Sequence, residues 1–472
     1  MADTGTLFGR AEAAWRAGKA DTARSLADQV LTVDPAHAGA LMILTNLCFA
    51  AGDVAGAKPF LERLSRLMPD DVMILGNLGR ALLAAEDLSP AAAAFAAALE
   101  REPANARALD GLGIVRHREG KYAAAADLHR RAAAVDPGFA AAWCNLGIAL
   151  TDLGRYGDAA AALDRALALD PRDARARFNR AILHLMAGDL AAGWPLYEAR
   201  LAFLAQPAPS GRRWLGEALA GEKVLLTPEQ GFGDVIQFAR FAPRVKERGG
   251  TPVLAAPRPL KSLLAAQDWD FEVADAETPP ETPLWCPLMS LGAVLNLQPD
   301  DIAGGAYLHA AGTAHRDGGE LRVGLAWSGN PIHRRDRARS LRLADLAPVL
   351  DLPDVRFVNL QVGLRPWDGE EMARRPNLFA EIPRLADFAD TAAVVAGLDL
   401  VISADTAVLH LAAAMDRPTW GLIPFVPDWR WGRDGERTPW YDGLRLYRQA
   451  APGGWAGVAA RVAVDLARLG KD

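Results

Sequence analysis

Apolar residues in the first half of the chain recur with the spacing of one helix face, and the pattern restarts every 34 residues. Prolines mark the period most clearly, because Pro35, Pro69, Pro103, Pro137 and Pro171 stand 34 residues apart. A proline ends a helix because it lacks a backbone N–H and clashes with the preceding turn. The pattern therefore predicts a series of short helix pairs, each closed by a proline.

A fixed period of 34 residues is typical of tetratricopeptide repeats, which are stacked helix–turn–helix units. Small residues such as Gly113, Gly147 and Ala159 would let the two helices of a unit approach closely. We place about six repeats within residues 1–205 and expect the last unit, which lacks the closing proline, to cap the array. The predicted repeats begin near Thr4, Ala38, Val72, Ala106, Ala140 and Ala174.

The predicted array does no chemistry itself, so its expected role is recognition of another protein. Solenoids of this kind present extended concave binding surfaces. Asn77, Asn145 and Asn179 lie on predicted first helices, where their amides could bond the backbone of a partner. The alternative is a scaffold or a dimer surface, with these asparagines simply solvated.

The second half alternates short apolar runs with helical stretches, which predicts βα units and parallel sheets. Residues 206–221 are rich in proline and glycine and are expected to form a linker. A second low-order stretch near residue 310 divides the remainder into a smaller lobe, 222–312, and a larger lobe, 313–472. The expected fold class is α plus α/β, with an α-solenoid followed by two Rossmann-like lobes.

Polar clusters follow several predicted strands, where open α/β sheets bind their ligands. The first cluster contains Glu229, Gly231, Gly233 and Asp234, between a buried strand and a helix. Either carboxylate could accept a hydroxyl proton, and the glycines would let a ligand approach the backbone. The alternative is a tight turn closed by an aspartate N-cap.

The second cluster is a basic loop after the strand "RVGLA". Arginine pairs bidentately with phosphate oxygens, so such a loop could bind a nucleotide, and a solvated loop is the alternative. The candidates here and after the next strand are Asn330, His333, Arg334, Arg335, Arg337, Arg339 and Gln361.

The third cluster places Asp405 and His410 five residues apart across a strand-to-helix turn. A helix that begins at Thr406 would present free N–H groups and a positive dipole end, which suits an anion. The alternative is an aspartate N-cap with a packed histidine. A fourth cluster, within 424–441, contains the candidates Trp429, Arg430 and Trp431.

Composition excludes some functions. The chain of 472 residues has a formal net charge of -6, which argues against nonspecific binding to nucleic acid or anionic lipid. Cys48, Cys144 and Cys286 are too far apart to form a metal or disulfide pattern. We find neither a secretory signal nor an apolar run of ~18 residues, so we expect no membrane span and a cytoplasmic location.

Together the motifs resemble a known family. The repeats followed by "EQGFGDVIQFARF", "GLAWSGNPIHRRDRARS", "ADTAVLHLAAAMDRPTW" and "PFVPDWRWGRDGERTPWY" resemble bacterial repeat-containing glycosyltransferases. Their catalytic half is similar to heptosyltransferases and, more distantly, to protein O-linked N-acetylglucosamine transferases. The resemblance covers nearly the whole chain. It implies a GT-B fold and an inverting transfer without metal or cofactor from a nucleotide sugar, with CMP and UDP both open as the nucleotide.

The resemblance also assigns roles to residues. Asp234 matches the acid of the heptosyltransferase "GD" motif and would be the base, with Glu229 as its rival. Asp405 and His410 match the donor-binding pair of that family at the same spacing. Trp429, Arg430 and Trp431 are expected to lie next to the acceptor or sugar. The usual lysine of the second lobe's phosphate loop is absent, and we expect Arg335 or Arg337 to replace it.

The motifs leave several classes of acceptor molecule open. Some members of the group look like flagellin glycosyltransferases, whose repeats hold flagellin while the catalytic half attaches a nonulosonic acid. The leading hypothesis is therefore transfer to a serine or threonine hydroxyl of a protein, plausibly flagellin, bound by the repeats. The alternatives are a lipid or polysaccharide acceptor, and a repeat adaptor without catalytic activity.

Overall fold

The computed structural model describes residues 3–204, 208–310, 321–333, 335–375 and 384–469. The chain divides into two compact units, one ending at Asn179 and the other beginning at Arg180. This division falls inside the sixth predicted repeat and ahead of the predicted linker.

The first unit is helical. Its helices are α1 (Thr4–Arg16), α2 (Ala20–Val33), α3 (Ala38–Ala50), α4 (Lys58–Leu67), α5 (Val72–Ala84), α6 (Leu88–Arg101), α7 (Ala106–Arg118), α8 (Tyr122–Val135), α9 (Ala140–Asp152), α10 (Tyr156–Leu169) and α11 (Ala174–Met186), which crosses into the second unit. The first helix of each of the six predicted repeats begins at the residue predicted from the sequence.

Glycines set the close approach of paired helices in the repeats. A Cβ atom at Gly147 would lie 2.6 Å from Cγ of Leu163, and one at Gly113 would lie 2.6 Å from Cε1 of His129. Any larger residue at these positions would require the side chain of Leu163 or His129 to shift. The small residues of the 34-residue pattern are therefore explained by packing within each repeat.

The three asparagines proposed for partner binding have partners within the chain. Asn145 donates to both carboxylate oxygens of Asp110, at 3.0 and 3.1 Å, and its oxygen accepts from Arg175 at 2.9 Å. Asn77 and Asn179 form hydrogen bonds within their own helices. Asn145 is buried, so neither the solvated alternative nor free access to a partner describes it.

The second unit begins with the end of the sixth helix pair, α12 (Leu190–Tyr197), followed by the 3-10 helix Glu198–Phe203. Trp194 of α12 donates its indole N–H to the carbonyl of Leu297 at 3.0 Å. Its ring lies 6.1 Å from that of Phe238 and 5.5 Å from that of Trp429. A Cβ atom at Gly292 would come within 2.6 Å of the same ring. The end of the predicted array is thus part of the second unit's core.

The first lobe contains a five-stranded parallel sheet of order β1-β5-β2-β3-β4. Its strands are β1 (Arg212–Arg213), β2 (Lys223–Thr227), β3 (Thr251–Ala256), β4 (Glu272–Asp275) and β5 (Leu284–Pro287). Its α-helices are α13 (Phe232–Ala239), α14 (Arg258–Ala265) and α15 (Leu291–Val294). In register, Leu225 of β2 lies opposite Val253 and Trp285, so the middle of the sheet is apolar.

Part of the predicted linker, 206–221, belongs to this sheet. Arg212 donates its backbone N–H to Pro283 at 2.9 Å, and Trp214 donates to Trp285 at 2.8 Å. The side chain of Trp214 is fully buried. The expectation of a free linker is corrected at these residues, because a buried tryptophan and the open edge of β5 draw the segment into the lobe.

The second lobe has a parallel sheet of order β10-β9-β8-β6-β7. Its strands are β6 (Leu321–Ala326), β7 (Val355–Asn359), β8 (Leu400–Ala404), β9 (Thr419–Ile423) and β10 (Leu444–Arg448). Its α-helices are α16 (Asp336–Arg339), α17 (Ala347–Leu350), α18 (Pro366–Arg374), α19 (Phe388–Ala396), α20 (Ala407–Ala414) and α21 (Trp455–Leu469). Every residue of the central strand β8 is buried, as expected for a sheet covered on both faces.

Each sheet has a point at which the strand order reverses. In the first lobe the chain runs from β2 through β3 to β4 on one side, whereas β5 lies on the other side of β2. In the second lobe β6 lies between β7 and β8. Ligands of doubly wound sheets bind outside the carboxyl ends of strands at such points. A ligand site is therefore expected at the turn after β2 and at the loops after β6 and β8.

The segment between the lobes is bonded to both, since the hydroxyl of Tyr307 donates to the carbonyl of Ile236 in the first lobe at 3.0 Å. Tyr307 and Leu308 donate backbone N–H groups to the carbonyl of Ala414 at 3.0 and 3.2 Å, and Gly304 accepts from Asp442 at 3.0 Å. Helix α13 of the first lobe packs against α20 of the second. Within the described ranges, no helix combines the length and apolarity needed to cross a membrane.

Replacing Trp194 with alanine should destabilise the second unit, because the change leaves a cavity among packed rings and removes a hydrogen bond. The expected cost is about 3–5 kcal/mol. Thermal unfolding of the full chain would measure it. Trp367→Ala is the matched control, because that side chain is half exposed and should cost little. Equal losses in both variants would show that α12 is not part of this core.

Candidate functional site

The turn after β2 places Asp234 inside helix α13. The helix begins at Phe232, so Asp234 is its third residue and does not precede it as an N-cap, as the sequence had suggested. Its Oδ2 accepts from the backbone N–H of Gly231 at 2.8 Å. Its Oδ1 accepts from the guanidinium of Arg430, which belongs to the other lobe. Asp234 therefore closes the start of α13 and joins the two lobes.

The two glycines of this turn differ in their surroundings. A Cβ atom at Gly233 would lie 2.7 Å from Cδ2 of His410, so this glycine gives α20 room to pack against α13. The expected role of Gly233 in ligand approach is thus corrected to helix packing. Gly231 is exposed, and a Cβ there would meet only Asp234, at 3.5 Å. Ligand approach at Gly231 stays a prediction.

Arg430 is the buried cation at the junction of the lobes. Its Nε donates to Gln237, its Nη1 donates to Asp428 at 2.7 Å, and its Nη2 donates to Asp234. The guanidinium lies 4.4 Å from the ring centroid of Trp429. Burial alone would lower the pKa of Arg430, but the two carboxylates outweigh it and raise that pKa. Arg430 is therefore a permanent charge that orders both carboxylates.

Asp428 was not singled out from the sequence. Its Oδ1 accepts from the backbone N–H of Arg430 at 3.1 Å, and 38% of its side chain is exposed. Burial raises the pKa of Asp428, but Arg430 outweighs burial and holds it below its usual value. An aspartate two residues before an arginine in "DWRW" is an Asx-turn signal that would have found it.

Two further candidates of this cluster, Trp429 and Trp431, are core residues. Only 3% of Trp429 and 1% of Trp431 is exposed. The ring of Trp429 lies 5.6 Å from that of Trp440, and the ring of Trp431 lies 5.1 Å from that of His410. Both tryptophans and the buried Arg430 pack in the interior, and their expected place next to acceptor or sugar stays a prediction.

The loop after β6 is held by hydrogen bonds to its backbone. The Oε1 of Gln361 accepts from the N–H groups of Trp327 and Ser328 at 3.1 and 2.9 Å. Ser340 accepts from Gly329 at 2.9 Å, and Arg365 donates to the carbonyl of Gly329 at 3.1 Å. Gln361 was expected to bind the donor, and the structure assigns its oxygen to shaping this loop.

Among the basic residues of this loop, Arg339 turns toward the carboxylates. Its Nη1 donates to the carbonyl of Asp405 at 3.0 Å. Arg337, two residues earlier on α16, is exposed. The expected replacement of the family's lysine by Arg335 or Arg337 stays a prediction, and Arg339 is a third candidate for that role.

The other predicted ligands of this loop have local partners. The guanidinium of Arg335 donates a hydrogen bond to the carbonyl of Val426 at 3.0 Å. Its backbone N–H donates to Nδ1 of His333 at 3.2 Å. Asn330 accepts from the N–H of Ile332 at 3.0 Å, which closes an Asx turn. Arg334 lies outside the described residues.

The turn after β8 contains an unusual carboxyl group. Thr406 precedes α20 as its N-cap residue, with its hydroxyl 3.1 Å from that of Ser403. Burial, and then the charge of Asp428, raise the pKa of Asp405 from 3.8 to about 6. Near neutral pH, Asp428 is therefore charged and Asp405 is partly protonated.

His410 is a buried neutral residue. Its Nδ1 lies 2.8 Å from the hydroxyl of Tyr441, and 5% of the residue is exposed. Burial, and then the charge of Arg430, lower the pKa of His410 to about 3. His410 packs between α13 and Trp431, and its expected role in donor binding stays a prediction.

The segment after β6 leaves donors unused. Within the described ranges, the buried Oγ of Ser328 and Nε of Arg339 have no hydrogen-bond partner. Buried polar groups without partners call for an explanation, and an anion held here would supply one. The N-terminal end of α20 adds a positive dipole on the same strand edge. No group of three or more metal-ligating side chains occurs among the residues that the structure describes.

The family comparisons agree with this architecture. Residues 377–427 match the glycosyltransferase family 9 (heptosyltransferase) model, and this range includes β8, Asp405 and His410. Tetratricopeptide repeat models match residues 14–75, 49–113, 108–141 and 140–173. These matches support a tetratricopeptide-repeat glycosyltransferase.

Similar proteins are found among curated sequences and solved structures. Protein FlbA of Caulobacter vibrioides is 29% identical over 336 residues, which cover 62% of this chain and 55% of that protein. The match thus spans about half the length of that relative. Tetratricopeptide repeat protein 8 of Caenorhabditis elegans is 37% identical over 84 residues, or 17% of each chain. The MamA structure matches 36% of this chain and 94% of its own, with 22% identity and a TM-score of 0.33.

Replacing Asp405 with asparagine should stabilise the protein at neutral pH. A carboxyl group with a pKa raised from 3.8 to about 6 loses stability as the pH rises through that range, because the unfolded chain ionises first. The variant should therefore match wild type near pH 4 and gain up to about 3 kcal/mol above pH 7. Thermal unfolding over this pH range would test it. A constant loss at every pH would contradict the raised pKa.

Proposed function

We propose that this protein transfers a sugar from a nucleotide-sugar donor to a serine or threonine hydroxyl of an acceptor protein. The observation that carries the proposal is the family 9 match across the turn after β8, in the same compact unit as Asp234. Arg430 brings that carboxylate of the first lobe to the second lobe, whose sequence matches the family. A base candidate and a donor-side anion site therefore meet at one junction.

The donor side of the proposal depends on fixed positive charge. Arg339, the hydroxyl of Ser328 and the start of α20 would neutralise the phosphate that leaves with the nucleotide. Donors that are already oriented stabilise the developing charge without reorganisation at the moment of reaction. This chemistry needs no metal ion and no cofactor. The nucleotide stays open between CMP and UDP.

We assign the role of base to Asp234. Burial raises its pKa despite the nearby Arg430, which increases its tendency to take a proton. In the proposed step Asp234 accepts the hydroxyl proton while the oxygen forms a bond to the anomeric carbon. The bond from that carbon to the phosphate oxygen breaks, and the nucleotide leaves with the electron pair. Direct displacement of this kind inverts the configuration at the anomeric carbon.

The repeats would select the acceptor. Four overlapping or adjacent repeat matches support a role in protein recognition, in keeping with the architecture of such arrays. The specific proposal, flagellin modified with a nonulosonic acid in the cytoplasm, is supported by the resemblance of the motifs to flagellin glycosyltransferases. This version of the proposal specifies the acceptor protein, the sugar and the compartment.

Deleting the gene should remove a sugar mass from a protein acceptor, and the wild-type gene should restore it. Complementation with Asp234→Asn should not restore it, since loss of a positioned base costs ~10²–10⁴ in rate. Intact-mass spectrometry of flagellin and other surface proteins would measure this. Loss of sugar from a lipid or polysaccharide alone would overturn the protein acceptor.

Asp428→Asn is the matched control, because it also removes a carboxylate from Arg430. It should retain transfer within about tenfold of wild type. Equal loss in the two variants would mean that activity depends on the Arg430 ion pairs, and that Asp234 is not the base.

Alanine at Arg339 should weaken binding of the nucleotide product, because charge-assisted bonds to phosphate contribute ~1.5–3 kcal/mol. That range corresponds to roughly ten- to a hundredfold in affinity. Titration calorimetry with UDP and with CMP would measure it. Arg337→Ala is the control, because this arginine lies on the same short helix but is exposed. Equal weakening in both variants would place the phosphates elsewhere.

A further inference from the structure

Glu229 and Arg200 form a buried ion pair beside the candidate site. The Nε of Arg200 donates to Oε2 of Glu229 at 2.7 Å, and Nη2 donates to Oε1 at 2.8 Å. The backbone N–H of Met289 also donates to Oε1, at 3.0 Å. Only 2% of each side chain is exposed. Both oxygens of Glu229 are thus engaged and shielded from water.

The remaining donors of Arg200 are also used. Nη1 donates to Glu198 at 2.7 Å and to the carbonyl of Tyr197 at 3.3 Å, while Nη2 donates to Ser290 at 2.8 Å. A guanidinium bonded in so many directions has a single orientation. Buried ion pairs add little net stability compared with apolar residues of similar volume, so this network calls for another explanation.

The position of Glu229 in the chain suggests that explanation. It stands two residues after β2, which ends at Thr227, and five residues before Asp234. The next two residues, Gln230 and Gly231, are exposed. Glu229 is therefore the point at which this short turn is attached to the interior of the first lobe.

Arg200 comes from the helical segment that ends the sixth helix pair. The preceding helix α12 packs Trp194 against Phe238, which lies near the end of α13. Helix α12 and the 3-10 helix that follows it therefore contact α13 at two places. Trp194 packs near the end of α13, and Arg200 binds the turn that precedes α13. Rotation of α13, which would displace Asp234, is opposed at both places.

We propose that Glu229 and Arg200 are a positioning pair that fixes the turn between β2 and α13, and that Glu229 is not the base. The inference rests on the proposed function, because it assigns Asp234 the role of base. Glu229 could take a hydroxyl proton only by giving up an oxygen that Arg200 or Met289 occupies, and only 2% of its side chain is exposed, against 17% of that of Asp234. Its contribution to transfer is instead the placement of the helix that carries Asp234.

Hydrogen exchange of the full chain tests the positioning role without any assay of transfer. Arg200→Met should speed amide exchange in residues 230–235 by at least about tenfold, because the turn loses its attachment. Arg213→Met is the matched control, because it removes a neighbouring arginine that pairs with Glu198 and does not touch Glu229. It should leave exchange in the turn within about twofold of wild type. Equal exchange in the two variants would overturn the inference.

Glu229→Gln separates positioning from base catalysis. The amide keeps an oxygen for Met289 but turns an N–H group toward Arg200, so transfer should fall by about tenfold or less, through kcat with KM for the donor unchanged. The acid limb of the pH–rate profile should remain. A loss of ~10²–10⁴ together with loss of that limb would make Glu229 the base and overturn the inference.

The two proposals fail in different ways. If the wild-type protein transfers no sugar, the proposed function fails, while hydrogen exchange still decides whether Arg200 holds the turn. If Arg200→Met does not fold, Arg200→Lys replaces it, because lysine keeps the charge but cannot form the two-pronged pair. Faster exchange of residues 230–235 in the lysine variant supports the pair as a positioning device, and unchanged exchange overturns it.

Discussion

One guanidinium holds the candidate site together. Arg430 lies between the lobes, donates to Asp234 on α13 and to Asp428 on its own segment, and rests against Trp429. A buried cation must be paired, because an isolated charge away from water costs far more than a folded protein can offset. The position of Asp234 relative to the second lobe is therefore fixed by a requirement of electrostatics.

The charge of Arg430 also determines how its neighbours titrate. It keeps Asp428 ionised, and that negative charge, added to burial, raises the pKa of Asp405. It lowers the pKa of His410, which stays neutral in the contact between α13 and α20. The site thus combines one permanent cation beneath the carboxylates with a second, Arg339, beside them.

The sequence predicted what depends on local pattern and missed what depends on distant packing. The helix starts of all six repeats follow from a periodic signal, and the polar loops lie at strand ends because parallel sheets place them there. The sequence could not distinguish Arg339 from Arg337, because their difference arises from which side of a short helix faces Asp405. Nor could it show that Trp429 is buried, because its partner Trp194 lies in the predicted repeats.

A double-mutant cycle on Arg430 and Asp234 tests the central claim most directly. The free energy of unfolding would be measured for Arg430→Met, Asp234→Asn and the double variant. The account predicts that Arg430→Met is strongly destabilising, because it leaves two carboxylates without their cation, and that the double variant recovers at least about 1.5 kcal/mol relative to additivity, as close charge pairs do. Additive losses would show that the two side chains do not interact, and the junction of the lobes would then require another explanation.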